Sequence, residues 1–127
     1  MIIKRRRTNN IGGRMAIVTD ARPWGSFKRF NSNRSCTVKL VRIKPGKRNS
    51  LQYHLHRREF WYIVEGTAKL RIGDREVVAR PGDYFTIPAR KLHRWGALKK
   101  PVVILEIAYG KFDENDIVRI EDDFGRG

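Results

Sequence analysis

Apolar and polar positions along the chain fall in short runs with the two-residue period of strands, broken at close intervals by glycine, proline, asparagine and aspartate. Thr37, Val38, Leu40, Val41 and Ile43 predict a strand over 36–43, ended by Lys44-Pro45-Gly46. Residues 59–65 put Glu59, Trp61 and Ile63 on one face and Phe60, Tyr62 and Val64 on the other. Both faces are apolar apart from Glu59, which predicts a strand covered on both sides. Residues 68–72 and 76–79 alternate around a Gly73-Asp74 hairpin turn. Pro81-Gly82-Asp83 is a turn, 84–87 a strand, 88–92 a loop that delivers His93, and 102–109 a long buried strand. A short strand over 27–30, a turn over 31–34 and an apolar run at 117–120 complete the pattern. No amphipathic helix stands out. The expected fold class is all-β, a barrel or double-sheet sandwich.

At 127 residues the chain is of single-domain size. Residues 1–21 read as a basic extension, with Met15 as a candidate internal start, or with residues 15–18 as an added strand; 22–127 form the expected domain. Lys4-Arg5-Arg6-Arg7 is not followed by an apolar stretch, so no signal peptide is expected, and no run is long enough to span a membrane. Cys36 is the lone cysteine, which excludes an internal disulfide and fits a cytoplasmic location. The formal net charge of +15 favours anionic partners. Charge alone does not make a nucleic-acid protein, and the aromatics among the basic residues are needed for the core, so neither nucleic acid nor membrane is the expected partner.

The chemistry concentrates in residues 51–59, which carry Gln52, His54, His56 and Glu59. If this stretch is extended, Gln52, His54 and His56 share a face. The chain has three histidines, and the third, His93, lies in the loop after 84–87. Together they offer amide, imidazole and carboxylate donors to one ion. With a single cysteine the thiolate-rich set of a structural zinc site is unavailable, and a nitrogen–oxygen set with open positions is the catalytic kind. Zinc is the expected ion, with Mn, Fe, Co and Ni also compatible. Two registers are open: Gln52 with His54, or His54 with His56. Gly46 and Gly66 flank the stretch at set intervals.

That spacing carries a resemblance. Gly46, Gln52-Tyr53-His54, Glu59 and Gly66 stand at the intervals of the first cupin motif, and Gly82, Pro88 and His93 at those of the second. Gln52 stands where most cupins have histidine, Arg90 where the second motif has glycine, and Ala97 where it closes on asparagine. The order Gln52, His54, Glu59, His93 is similar to the metal set of phosphomannose isomerases. Further segments resemble the isomerase domain of the type II enzymes: Arg22-Pro23-Trp24-Gly25, 50–57, 65–68, Ile87-Pro88-Ala89, His93-Arg94, 116–119 and 121–126.

The resemblance implies a cupin-type double-stranded β-helix, a jelly-roll barrel, holding a divalent metal on Gln52, His54, Glu59 and His93. It implies an aldose–ketose isomerase that interconverts mannose 6-phosphate and fructose 6-phosphate. His56 is the first candidate for the proton-transferring base, Glu59 and then Lys39 the next. Arg119 and Arg126 match family positions and are the candidate phosphate ligands. Trp24, Trp61 and Trp95 are expected in the core. No glycine-rich phosphate loop of a nucleotidyltransferase is present, so the isomerase activity is expected to stand alone. By analogy with other cupins the protein is expected to be a homodimer. A cupin that only binds a sugar or sugar phosphate is the alternative function; a dioxygenase would keep histidine in place of Gln52.

Overall fold

The structure is a computed structural model describing residues 3–5 and 17–126. Twelve strands and no helix are present among the described residues. They are β1 (Ile3–Arg5), β2 (Val18–Arg22), β3 (Gly25–Arg29), β4 (Thr37–Ile43), β5 (Leu51–Tyr53) and β6 (Arg57–Glu65), followed by β7 (Ala68–Ile72), β8 (Arg75–Ala79), β9 (Tyr84–Ile87), β10 (His93–Ala97), β11 (Val102–Gly110) and β12 (Val118–Glu121). Two antiparallel sheets form the body, one ordered β12-β5-β10-β7-β8 and the other β4-β11-β6-β9, and β1-β2-β3 make a third. The all-β jelly-roll expectation is therefore met.

The two-faced pattern of residues 59–65 dictates the layering. Trp61 and Ile63 turn inward and pack with Leu70, Ile72, Phe85, Ile87, Val102 and Ile104 between the two sheets. Phe60 and Tyr62 turn outward and meet Tyr84, Ile107 and Tyr109 in a second cluster, which Ile17 and Phe30 help to close. The 21/22 boundary suggested by the sequence falls inside β2, whose hairpin partner is β3. Of the strand considered for 15–18, residues 15 and 16 lie outside the described residues, and Val18 opens β2.

Two local features depart from the sequence pattern. The extended run expected through 51–59 stops at Tyr53, and β6 resumes at Arg57. Between them the Asp116 carboxylate accepts hydrogen bonds from the backbone N–H of Leu55 (2.8 Å) and His56 (2.9 Å), holding a bend. Trp24, expected in the core, sits at the β2–β3 turn with 72% of its surface exposed, whereas Trp61 is fully buried. The turn geometry of Pro23 and Gly25 outweighs the indole's apolar area there.

Gly110 ends β11 opposite Arg57, at φ 98°, where an added Cβ would stand 2.7 Å from the His56 carbonyl oxygen. Only glycine lets β11 pass so close to the bend beneath the site. Gly110→Ala should lower stability by about 2–4 kcal/mol, from backbone strain plus the clash. Urea unfolding checks this; a loss within experimental error would show that the bend yields freely.

Candidate metal centre

Three strands of one sheet bring the first residues together. On β5, Gln52 stands opposite His93 of β10 on one side and Arg119 of β12 on the other. Directly paired residues point to the same face, so Gln52, His93 and Arg119 form a row across the inner face. Glu59 reaches the same space from β6 of the facing sheet, one strand step from Trp61 in the core. His54 enters from the bend. Ligand atoms of His54, Glu59 and His93 all lie within 4.8 Å of one another, and the three residues are buried.

The protonation of each ring follows from its partners. His54 Nδ1 lies 2.6 Å from the Asp116 carbonyl oxygen, and His93 Nδ1 lies 2.8 Å from that of Lys91. A carbonyl only accepts, so both rings carry hydrogen on Nδ1 and present the Nε2 lone pair to the site. Burial also pulls His93 below the usual imidazole value, which keeps it neutral at pH 7. The two carbonyl contacts fix the orientation of the rings.

Glu59 is held ionised. Burial pushes its carboxyl up, but a hydrogen bond from Glu106, beside the N–H donors of Arg57 and Trp61, holds it below the ordinary carboxylate range. His54 Nε2 lies 3.3 Å from Glu59 Oε2 and His93 Nε2 lies 3.6 Å from Oε1. Lone pairs thus face a carboxylate from two sides, an arrangement that calls for a cation between them. Arg57 answers part of this: its Nε donates to Glu59 Oε2 (3.1 Å) and its Nη2 to His54 Nε2 (3.2 Å). Trp61 Nε1 donates to Oε1 at 3.1 Å. His93 Nε2 remains buried without a hydrogen-bond partner. An orphaned acceptor aimed at an ionised carboxylate fits a metal site.

Gln52 presents its amide nitrogen to His54 Nε2 at 3.4 Å, while its Oε1 accepts from the Ser50 hydroxyl at 2.5 Å. Turning the amide over would direct the oxygen inward, and the hydroxyl can accept as readily as it donates. Arg90, standing where the second cupin motif has glycine, adopts φ 69°, the left-handed conformation that glycine accommodates. Its N–H donates to the His54 carbonyl at 2.6 Å. The loop therefore holds His54 despite the substitution.

The other residues singled out in the sequence separate. His56 is exposed beyond the bend, in a cleft shared with Lys111, Asp113 and Asn115, while the Gln52, His54, Glu59 and His93 set gathers inside. Lys39 on β4 pairs across from Glu106 and therefore shares the inner face; its ammonium bonds Glu114 at 2.7 Å and lies over the Phe112 ring. Arg126 forms a two-pronged ion pair with Asp122 at the surface (2.8 and 3.1 Å). Arg119 keeps a buried Nε with no partner.

Sequence reasoning passed over Glu106. It is the single carboxylate inside the apolar run of β11, and that isolation was the available signal. Burial, the hydrogen bond to Glu59 and the charge of Glu59 together push its carboxyl up to about 9. Glu59 and Glu106 therefore hold one proton between them at neutral pH. In the folded state Glu106 keeps a proton that its ordinary value of 4.5 would release on unfolding, so its contribution to stability falls as pH rises from 4.5 toward 9. Between about pH 7.5 and 8.5, above the range in which unfolded histidine titrates, metal-free protein should lose up to about 1.4 kcal/mol per pH unit from this source. Glu106→Gln should flatten that slope. Urea midpoints measured in EDTA across this range check it; equal slopes in both proteins would mean Glu106 is ionised when folded.

The profile of the family described as mannose-6-phosphate isomerase, C-terminal, matches residues 14–122. The alginate biosynthesis protein AlgA of Pseudomonas aeruginosa is 38% identical over 107 residues, covering 83% of this chain and 22% of that protein. A mannose-1-phosphate guanylyltransferase of Salmonella muenchen is 37% identical over 105 residues, covering 79% of this chain and 22% of its own length. The chain thus spans about a fifth of the length of these relatives. Among solved structures, the capsular polysaccharide assembling protein CapF of Staphylococcus aureus superposes with a TM-score of 0.63 at 16% identity, over 94% of this chain and 34% of CapF. KdgF from Halomonas superposes with a TM-score of 0.60 at 16% identity, over 78% of this chain and 83% of KdgF. These two likenesses bear on the fold alone. With the profile covering most of the chain and the buried His54, Glu59 and His93 inside a jelly-roll barrel, this protein belongs to the mannose-6-phosphate isomerase C-terminal family of cupin-type domains.

Proposed function

We propose that the chain is a metal-dependent aldose–ketose isomerase acting on a phosphorylated sugar, with mannose 6-phosphate and fructose 6-phosphate as its substrate pair. The observation that carries this reading is the orphaned His93 Nε2 facing ionised Glu59, beside an unpartnered Arg119 Nε in the same cross-strand row. Gln52, His54, Glu59 and His93 would hold the ion, zinc being the first candidate for this donor set. A divalent ion there supplies a Lewis acid that draws electron density from the sugar carbonyl.

The rest is the work of side chains. Arg119, on β12 beside Gln52, would take the phosphate of a sugar lying over the donor set. Arg126 would have to leave Asp122 to do the same, so its role is secondary. Isomerisation moves a proton from C2 to C1 of the sugar. His56, the first candidate for the base, would have to swing in from the cleft beyond the bend to reach the sugar. Glu106, neutral at pH 7 and next to Glu59, is the nearest buried proton carrier. Lys39 shares its face.

Binding without turnover is the second reading, and one observation favours it. Arg57 already supplies Glu59 and His54 with N–H donors, so the pocket is partly satisfied without an ion.

Incubating metal-loaded protein with mannose 6-phosphate and following fructose 6-phosphate, with EDTA as control, separates the two. Turnover abolished by EDTA is expected. Tight sugar-phosphate binding with no turnover under Zn, Mn, Fe, Co or Ni would establish the binding module instead. Arg119→Gln should raise KM for mannose 6-phosphate by about tenfold or more, the loss of a charge-assisted contact. It should leave binding of unphosphorylated mannose unchanged; equal effects on both would remove Arg119 from phosphate recognition.

A further inference from the structure

We infer a second anion site on the outer face of the β12-β5-β10-β7-β8 sheet, separate from the metal centre and independent of the isomerase reading. Its ligand class is a phosphate or diphosphate group on a small molecule. The site follows from strand register. On β7, Lys69 and Arg71 alternate with buried Ala68, Leu70 and Ile72, so both point outward. On β10, Arg94 pairs directly with Arg71, and Gly96 with Lys69. Arg48 flanks Gly96 on the far side through an isolated bridge. Gly96 has no side chain, which lets Arg48 pack against it, its Cβ 3.2 Å from where a glycine substituent would stand, and beside this contact lies a groove of about 330 Å³ walled by Arg48, Lys69, Arg71 and Arg94.

Like charges at directly paired strand positions disfavour the ladder unless something offsets them, and here the Arg94 side chain runs toward β5 and β12 while that of Arg71 runs toward Gly73. Carboxylates offset these charges only in part: Glu76 lies across from Arg71, and the charge of Arg94 acts on the Asp123 carboxyl. Among the described residues, neither Lys69, Arg71 nor Arg94 has a carboxylate partner in an ion pair; only Arg48 does, through Asp123 at 2.7 Å. Glu76 stands across from Arg71 on β8 without bonding it, and Glu121 borders the groove at its other end. Arg94 is buried and pinned: its Nε donates to the Asn49 carbonyl at 2.9 Å and its Nη2 to the Glu121 carbonyl at 3.4 Å. Arg71 Nε donates to the Gly73 carbonyl at 3.1 Å. Both guanidiniums are thus fixed by backbone acceptors, with donors left over from the five each carries. A phosphate in the groove would accept charge-assisted hydrogen bonds from the spare donors of Arg71 and Arg94, with Lys69 adding a third contact. Glu76 and Glu121 border the groove and oppose a long polyanion, and its volume of about 330 Å³ suits a small phosphorylated compound.

The test is calorimetric titration of the full chain in EDTA at physiological salt, with inorganic phosphate, pyrophosphate and glycerol 3-phosphate as probes. One-to-one binding of at least one probe is expected, and the tightest of the three tells a diphosphate ligand from a monoester. The double variant Lys69→Gln/Arg71→Gln, at solvent-facing positions, should weaken it by about tenfold or more. Lys99→Gln/Lys100→Gln, which removes the same charge elsewhere, should change it little, and the weakening by Lys69→Gln/Arg71→Gln should persist in an Arg119→Gln background. Glu76→Gln should tighten binding. Equal weakening in both double variants would reduce the effect to diffuse charge and overturn the site. Loss confined to Arg119→Gln would place the anion in the barrel and overturn it too, as would no binding of any probe at millimolar concentration.

Discussion

An ionised carboxylate inside a protein costs several kcal/mol unless donors or cations surround it. Glu59 is such a group, and the interior of this barrel is arranged around its charge. Arg57 and Trp61 donate to it, Glu106 shares a proton with it, and His54 and His93 turn their bare nitrogens toward it. Removing any one donor leaves a buried acceptor short of a partner. The cross-strand row of Gln52, His93 and Arg119 has meaning only because Glu59 faces it from the other sheet.

The guanidinium of Arg57 gives this arrangement a second property. Besides Glu59 and His54 it touches the Asp113 carbonyl at 3.2 Å and lies 4.5 Å from the Phe112 ring. The segment 112–116 therefore both holds Arg57 and, through Asp116, orients His54 and the bend that carries His56. An ion entering the donor set would take over the charge balance that Arg57 now provides. Glu59, the segment after β11 and the histidine bend are consequently one electrostatic unit rather than separate loops.

Much of this was legible in the sequence because strand physics is simple. Alternation over 59–65 gave both the inward Glu59-Trp61-Ile63 face and the outward Phe60-Tyr62 face, and both clusters exist. The donor residues were visible because three histidines in 127 residues leave few choices. What was not legible came from chain reversals and long-range neighbours. Nothing in 51–59 announces a break after Tyr53, since its cause is a carboxylate some sixty positions later, Asp116. That break carries His56 away from the buried set. Glu106 was visible only as a charge in an apolar strand; its meaning needed the register that brings β11 beside β6. The strand after His93 was missed because Gly96 and the charged Arg94 weaken its alternation, although its other face packs on the core.

The central claim is that Gln52, His54, Glu59 and His93 converge on a single cation. Anomalous diffraction from crystals of metal-loaded protein, collected at the absorption edge of the ion, tests it directly. One strong peak is expected within coordinating distance of His54 Nε2, His93 Nε2, a Glu59 oxygen and the Gln52 amide oxygen, about 2.0–2.2 Å for zinc, with Arg57 moved off Glu59. Full metal occupancy elsewhere, with Arg57 still bonded to Glu59 and His54, would contradict it.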